Sequence, residues 1–404
     1  MKKKQGTSVT ILGLGYIGLP TAALIAGKGI RVNGVDVNRK VVDTINKGKI
    51  HIVEPALEGL VHAVVRKGLL RASVKVVPAD VFIVAVPTPF KGGHRPDISF
   101  VEKATRMIVP HLREGSIFII ESTSPVGTTE KMAKMIYRKR PELKGKVHIA
   151  YCPERVLPGN ILHELQQNDR VIGGIDTEAA AAAVGFYGRF VRGKLHTTNA
   201  RTAEMTKLVE NAYRDVNIAF ANQLSVICDK AGINVYELID LASRHPRVNI
   251  LKPGPGVGGH CIAVDPWFIV SAFPAETGLI RQAREVNLAK TDWVVEKVLA
   301  AADEFRSKQG RLPVIACMGL AYKPDIDDLR ESPALEVYRR LMKKRLKVLA
   351  VEPNISSGSG VRTTDAAAAV LKADIIVFLV RHKEFINLQT GAKPVLDFCG
   401  AISH

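Results

Sequence analysis

The sequence predicts an α/β protein, two doubly wound parallel-sheet domains joined by a central helical region with one long helix. Three observations predict it. Short β-branched runs alternate with helical patterns from Ser8 to about Thr198, a second such series follows residue 300, and the stretch between them lacks strand patterns. Alternation of this kind means βαβ units, with parallel strands covered by helices on both faces. A chain of 404 residues with 47% hydrophobic content has the length and apolar surface for two or three domains.

The first series reads "TSVTILG", "RVNGVD", "VFIVAVP", "SIFIIES", "VHIAYCPE" and "RVIGGI". Its opening resembles a membrane or signal segment, because "MKKK" is followed by a run without charge from Ser8 to Gly27. That run holds four glycines and a proline, however, and divides into a strand at Thr10 to Leu12, a Gly-rich turn and an Ala-rich helix. No other stretch is long enough to span a bilayer, so the expectation is a soluble, cytoplasmic protein. In the middle, Ala200 to Ala231 is apolar at helical spacing (Met205, Leu208, Val209, Ala212, Val216, Ala219, Phe220, Leu224, Ile227) and stops at Gly232. Such a helix spans about 45 Å and is expected to join two domains and floor the cleft between them. The second series reads "PVIACMGLAYKP", "KVLAVEP", "ADIIVFLV" and "PVLDF". The expected domains are 1–198, 199–300 and 301–404.

The net charge of +18 is spread along the chain without interleaved aromatics or Gly-Arg patterns, so no nucleic-acid partner is expected. Its densest cluster, "YRRLMKKRLK" (338–347), reads as a solvated helix face leading into a strand. A positive field of this size draws in a polyanionic small substrate. The five cysteines, Cys152, Cys228, Cys261, Cys317 and Cys399, are odd in number and scattered, which fits neither a disulfide framework nor a metal site.

Gly13-x-Gly15-x-x-Gly18 follows the first strand and opens the first helix, and Asp36 ends the next strand. The glycines permit the tight turn, the approach of a pyrophosphate and helix–strand packing, and the helix N-terminus supplies N–H donors. Asp36 would hold the adenosine ribose hydroxyls and repel a 2′-phosphate, so the expected cofactor is NAD in a Rossmann-like domain. Hydride chemistry alone needs no thiol, yet Cys261 lies in "PGPGVGGHCIAVDP" (253–266), a loop whose glycines suit close approach to a ligand. A cysteine can add to an aldehyde, and oxidation of the adduct gives a thioester that water hydrolyses, so one site can carry an alcohol to an acid. Lys207 and Asn211 project one turn apart from one helix face, where a lysine can stabilise an oxyanion and an asparagine can bind water. Spacing alone leaves open a snorkelling lysine, and leaves Asp265 open as general base or turn residue.

With "GLGYIGLP", "VPTP", "ESTSPVGT", "CPER", "TAEMTKLVENAYRDVNIAFANQL", "HPRVNI", "GPGVGGHCIAVDP" and "GLAYKPDIDDLRESPA" in this order, the chain resembles the nucleotide-sugar 6-dehydrogenases of the UDP-glucose/GDP-mannose dehydrogenase family over nearly its whole length. "IHIVEPAL", "VPTPFKG", "NDRVIGG" and "GHCIAVDPWF" resemble the UDP-N-acetylmannosamine branch rather than the UDP-glucose branch, from whose cysteine loop Val257, His260 and Val264 depart. The resemblance implies Cys261 as nucleophile, Lys207 and Asn211 at oxyanion-stabilising and water-binding positions, and Asp265 assisting the base chemistry. It places Glu154 and Thr123 beside the reacting C6, and lets Arg247, Lys323 and Arg330 meet substrate groups. Arg155, Val156, Asn249, Gly258 and His260 complete the implied substrate set. Tyr16, Ile17, Arg39, Pro87, Thr88 and Thr123 join the glycines and Asp36 in the implied NAD site. The family also implies UDP on the C-terminal domain, a UDP-sugar as substrate, a role in making surface-polysaccharide precursors, and a homodimer in which Arg247 completes the neighbouring active site. The rival within the class is another UDP-sugar as substrate, UDP-N-acetylglucosamine or UDP-glucose. A single-step β-hydroxyacid dehydrogenase shares the NAD domain and a Lys and Asn on a long helix but uses no cysteine, and the retained Cys261, Lys207 and Asn211 argue against a non-catalytic NAD-sensing or RNA-binding protein.

Overall fold

The structure is a computed structural model that describes residues 6–52, 54–156, 159–355 and 360–402. The backbone divides into two compact units, Met1–Val209 and Glu210–His404. In the first, the strands are β1 (Ser8–Leu12), β2 (Arg31–Val35), β3 (Leu70–Ser73), β4 (Val81–Val84), a small hairpin of β5 (Phe90–Lys91) and β6 (Arg95–Pro96), β7 (Ile117–Ile120), β8 (His148–Tyr151), β9 (Arg170–Gly174) and β10 (Leu195–Asn199). Apart from the hairpin they form one sheet in the order β10-β9-β8-β7-β4-β1-β2-β3. The six strands from β3 to β8 are parallel and follow the 3-2-1-4-5-6 order of a doubly wound dinucleotide fold, which puts the point where strand order reverses between β1 and β4.

Side-chain alternation explains the two-sided cover. Val9, Ile11, Val81 and Ile83 enter one apolar core, while Leu12, Phe82 and Val84 enter the other, on the opposite face. Central strands buried on both faces read as continuous apolar runs, which is why "VFIV" and "IFII" stand out in the sequence. The uncharged run after β1 is explained by the same two-sided cover: helix Gly18–Gly27 is buried from Gly18 to Ala26 between the sheet and the helices Leu57–Arg66 and Ile161–Gln167. Among the described residues no helix is long and apolar enough to cross a membrane.

One expectation needs correction. The sheet is not wholly parallel, because β9 runs antiparallel to β8 and β10 pairs with β9. An antiparallel neighbour needs no right-handed crossover, so the chain returns from β8 through one short helix, Ile161–Gln167. The edge strand β10, "LHTTN", is polar and largely exposed, and escapes a search for apolar runs.

The second unit holds β11 (Val314–Met318), β12 (Lys347–Val351), β13 (Ile375–Phe378) and β14 (Val395–Asp397), all parallel in the order β12-β11-β13-β14. It too has a core on each face, with Ile315 and Cys317 on one and Ala316 and Met318 on the other. Some of its helices start on side-chain caps: Asn234 accepts from the amides of Tyr236 and Glu237, and Ser332 accepts from Leu335 with Pro333 in the first turn. Two helices of 32 residues, Ala200–Ala231 and Gly278–Gln309, are the longest. The first has the bounds its periodicity predicts.

Candidate active site

The Gly-rich turn after β1 is fixed by the backbone. Gly13 sits at φ 93°, donates its N–H to Val35 O at 2.8 Å, and has no room for a side chain, since a Cβ would lie 2.3 Å from the Ala85 carbonyl oxygen. Gly18 backs onto Gly13, whose carbonyl oxygen would stand 1.8 Å from an added Cβ. Gly15 is different: it is exposed, with nothing within 4 Å of the position a Cβ would take. The turn leads directly into helix Gly18–Gly27, whose N-terminus has no side-chain cap, so its dipole favours an anion there. Half-buried Asp36 accepts from Leu14 N at 3.0 Å and Asn38 N at 2.8 Å, one bond on each carboxylate oxygen, leaving lone pairs for ribose hydroxyls. These residues fit a dinucleotide.

The loops after β4 and β7 meet at the same end of the sheet. Ser122 Oγ donates to Val86 O at 2.7 Å and accepts from Val86 N at 2.9 Å, tying the loop of Pro87 and Thr88 to that of Thr123. Tyr16, Ile17, Thr88 and Thr123 are half-buried, whereas Pro87 and Arg39 are exposed.

On the last turns of the first unit, Lys207 Nζ stands 3.3 Å from Glu154 Oε1, with both side chains largely buried. Glu154 also accepts the amide of Val156 at 3.0 Å, and the Arg155 carbonyl accepts from Asn168 Nδ2 at 3.0 Å, so "CPER" is held as a compact turn. Three carboxylates that sequence reasoning missed support this arrangement. Buried Glu204, one turn before Lys207, accepts from Gly127 N, Thr129 N and Thr129 Oγ1 at 2.6 to 2.7 Å and so caps helix Thr128–Lys139 and fixes the Thr123 loop. Burial pushes its pKa up. Glu54 accepts from Gly159 N and Ile161 N beyond the "CPER" turn. Glu121, fully buried, accepts the Tyr187 hydroxyl at 2.6 Å and lies 3.7 Å from Arg170, whose guanidinium is 3.8 Å from the Cys152 sulfur. In the sequence Glu121 alone stands out, as an acidic residue ending the apolar run "SIFII", while Glu54 and Glu204 carry no such signal.

In the second unit, a turn gathers the cysteine chemistry. The Cys261 carbonyl accepts from Val264 N and Asp265 N at 2.9 and 2.8 Å, so the half-buried thiol and the buried carboxylate of Asp265 lie on one turn at the start of helix Asp265–Ala272. Asn211 Nδ2 donates to Asp265 Oδ2 at 2.5 Å. None of the five cysteines is in a disulfide. Cys317 is a core side chain whose thiol burial pushes up to about 12, and burial raises the Cys152 and Cys399 thiols as well. A thiolate is therefore disfavoured at those positions.

The glycines before Cys261 serve packing against the loop that follows β11. An added Cβ on Gly258 would lie 2.5 Å from Glu331 O and 2.8 Å from Tyr322 Cβ, and one on Gly259, at φ 80°, would lie 2.9 Å from the Tyr322 ring. Gly259 N donates to Arg330 O at 3.2 Å. The structure thus brings Gly258 and Gly259 against the loop of Lys323 and Arg330, with His260 within electrostatic reach of Asp328. Arg330 pairs with Asp328, whose carboxyl is held below its ordinary range; burial opposes this, and the Arg330 hydrogen bonds outweigh it. Arg247 and Asn249 are exposed on the segment after helix Val235–Ala242, and no described hydrogen bond of their side chains joins them to this site.

The match to known proteins covers each part of the chain. The UDP-glucose/GDP-mannose dehydrogenase family's NAD binding domain matches residues 7–191, its central domain residues 201–289 and its UDP binding domain residues 316–403. The chain belongs to this family of dehydrogenases. An NDP-N-acetyl-D-galactosaminuronic acid dehydrogenase of Ralstonia nicotianae is 53% identical over 97% of this chain and 96% of its own. A UDP-N-acetyl-D-mannosamine dehydrogenase of Campylobacter jejuni is 52% identical over 98% of this chain and all of its own. Among solved structures, that of the UDP-D-ManNAc dehydrogenase from Pyrococcus horikoshii aligns with a TM-score of 0.89 at 38% identity, covering 98% of this chain and 96% of that one. The NAD cofactor expected from the first Gly-rich turn agrees with the family domain that contains it.

Proposed function

We propose that this chain oxidises the C6 alcohol of UDP-N-acetylmannosamine to the carboxylate, the aldehyde staying bound as a Cys261 adduct. The observation that carries this reading is the single backbone turn that joins half-buried Cys261 to Asp265, the carboxylate that Asn211 binds. When bound, NAD⁺ supplies the acceptor for the two hydrides that leave C6. Lys207, paired with Glu154, assists loss of the alcohol proton and stabilises the oxyanion. The Cys261 sulfur then bonds to the aldehyde carbon, the carbonyl π bond opens and the thiol proton ends on oxygen. Loss of the second hydride from carbon, together with the proton on the adduct's oxygen, leaves a thioester. Asp265, oriented by Asn211, takes a proton from the water that cleaves it, releasing the acid and the thiol. Thr123 and Glu154 serve as neighbouring hydrogen-bonding groups, and Arg155, Val156, Asn249, Gly258, His260, Lys323 and Arg330 bind the substrate.

Purified enzyme assayed over UDP-sugars should turn over UDP-N-acetylmannosamine with two NADH per sugar and UDP-glucose poorly. Cys261→Ser should stall, because a hydroxyl is a far weaker nucleophile near neutral pH. Sustained two-NADH turnover in that variant at near wild-type rate would leave Cys261 as packing. A second reading, an N-acetylgalactosamine-configured sugar, is favoured by the Ralstonia relative at 53% identity, and preferential turnover of that sugar would select it.

The positions of the three family domains support dividing the chain near residues 198 and 300. Five cysteines without a disulfide support a cytoplasmic location. A homodimer is supported by an exposed apolar stripe on helix Ala200–Ala231, where Val209, Tyr213, Phe220 and Ile227 recur at spacings of four, seven and seven. Arg247 would then act in the neighbouring site. Inactive Arg247→Ala and Cys261→Ala homodimers should regain activity on subunit exchange, and verified heterodimers that stay inactive would end the shared-site model.

A further inference from the structure

A chain of buried polar side chains in the second unit has no place in the chemistry above. Asn222, fully buried on the long helix, accepts the Gly254 amide on Oδ1 at 2.9 Å and donates from Nδ2 to Asn287 Oδ1 at 2.8 Å. Asn287, on helix Gly278–Gln309, donates from Nδ2 to Asp215 Oδ1 at 2.8 Å and to the Asp215 carbonyl at 3.1 Å. Arg284 Nη1 reaches the same Asp215 oxygen at 2.6 Å. One turn beyond Asn287, Thr291 Oγ1 donates to Pro255 O at 2.9 Å. Every amide in the series donates toward Asp215, so each bond polarises the next, and breaking one leaves buried groups unpaired.

This series holds the upstream end of the cysteine loop. Gly254 hangs from Asn222 and Asp265 from Asn211, so both ends of the segment 254–265 are tied to one helix. Between the anchors, Gly256 at φ 146° packs so closely that a Cβ would stand 2.6 Å from Thr291 Oγ1. The downstream anchor belongs to the catalytic set and the upstream one does not.

We propose that Asn222 is a positioning residue: with Asn287 and Asp215 it clamps the start of the cysteine loop, so that the Cys261 thiol meets the aldehyde before the aldehyde departs. The inference rests on the reading that Cys261 holds an aldehyde. In the covalent step the clamp serves, a sulfur–carbon bond forms, the carbonyl π bond breaks and the proton moves from sulfur to oxygen, with no change in electron count.

The test uses three variants of the full chain. Asn222→Ala removes the clamp, Thr291→Val removes its second bond to the loop and serves should the first variant fail to fold, and Ser225→Ala is the control. Ser225, on the same helix as Asn222, accepts from Lys290 of helix Gly278–Gln309 at 2.6 Å and donates to the Asn222 carbonyl at 2.7 Å. Its loss leaves the Asn222 side-chain bonds in place, and it touches no loop residue by the described hydrogen bonds. Two readouts are taken: iodoacetamide labelling of Cys261 in NAD-free enzyme, located by peptide mass spectrometry, and NADH formed per sugar with released aldehyde trapped by hydroxylamine. The expected result is a several-fold change in labelling rate for Asn222→Ala and Thr291→Val, an NADH yield falling from two toward one, and trapped aldehyde appearing, with Ser225→Ala like wild type. Unchanged labelling and a yield of two in the clamp variants would overturn the proposal, as would an equal fall in Ser225→Ala. A wild-type yield of one would instead overturn the reading of Cys261 itself, and the labelling result would then stand alone as the measure of the clamp.

Discussion

After β1 the chain turns through Gly13 at φ 93°, and after β11 it turns through Gly319 at φ 88°; each glycine donates its N–H to the last residue of the neighbouring strand at 2.8 Å. In both places a carboxylate at the end of that second strand accepts the next amide, Asp36 from Leu14 at 3.0 Å and Glu352 from Leu320 at 2.8 Å. From there the two turns part. The first continues as "GLGYIG", with open space over Gly15, while the second continues as "GLAYKP", with a buried Ala321 whose amide also goes to Glu352. Asp36 is half-buried, whereas Glu352 is covered by the fully buried His382, 2.9 Å away. The second turn commits its carboxylate to two backbone amides and a buried histidine, where the first leaves its carboxylate half exposed. One backbone plan thus gives a dinucleotide site in one unit and a closed pseudo-site in the other, consistent with the family's separate NAD and UDP binding domains.

The largest effect that would test this contrast is expected from Gly15→Val. Its side chain has room in the free protein but occupies the pyrophosphate's space, so NAD affinity should fall roughly 100-fold, about 2.7 kcal/mol, with Tm unchanged. A titration showing wild-type affinity would break the assignment of that space. Gly18→Ala, by contrast, should lower Tm, because its Cβ meets the Gly13 carbonyl oxygen. Next comes Asp36→Ala, which removes the acceptor for ribose hydroxyls. Losing a hydrogen bond to a charged group costs about 1.5–3 kcal/mol, so the KM for NAD should rise at least tenfold and that for NADP should fall relative to it. An unchanged NAD/NADP ratio would count against Asp36 as the selector.

His382→Leu probes the other side. It strips Glu352 of a buried donor and should cost about 1–3 kcal/mol of stability by denaturant unfolding. The pH dependence has a definite sign. Burial works to raise the Glu352 carboxyl, but the His382 and backbone hydrogen bonds outweigh it and hold the pKa below its ordinary 4.5. A carboxylate depressed in the folded state contributes stability above its unfolded pKa and loses it as pH falls through the folded one. The gap between wild type and His382→Leu should therefore narrow below about pH 4.5, and a gap that widens there would contradict the pairing. The smallest effect is expected from Ala321→Gly, which restores the missing glycine of the second turn. NAD should still not bind the second unit, since His382 keeps Glu352 covered, and calorimetry showing a second NAD site would erase the distinction.

Much of this was legible in the primary structure. β4 and β13 are apolar end to end because both faces are buried, and the long helix from Ala200 to Ala231 carries its own stop at Gly232. Cys261 and Asp265, four apart, lie on one turn as local chain geometry requires. What was not legible depends on contacts between distant residues. The polar edge strand β10 carries no apolar signal, and the reversal of β9 depends on where the chain returns to the sheet. Glu204, Glu54 and Glu121 look like ordinary acidic residues until folding buries each against donors 66 to 107 positions away.

The sequence by itself determined the βαβ alternation, the Gly-rich turn with Asp36 at the end of the next strand, and the helix that carries Lys207 and Asn211, because period and turn chemistry are local. Only the tertiary structure decided that Glu352 would be closed by His382, 30 residues away, and that Gly254 would hang from Asn222, 32 residues away. A buried polar group needs a partner, and which partner it finds is settled by packing between elements that no local pattern encodes.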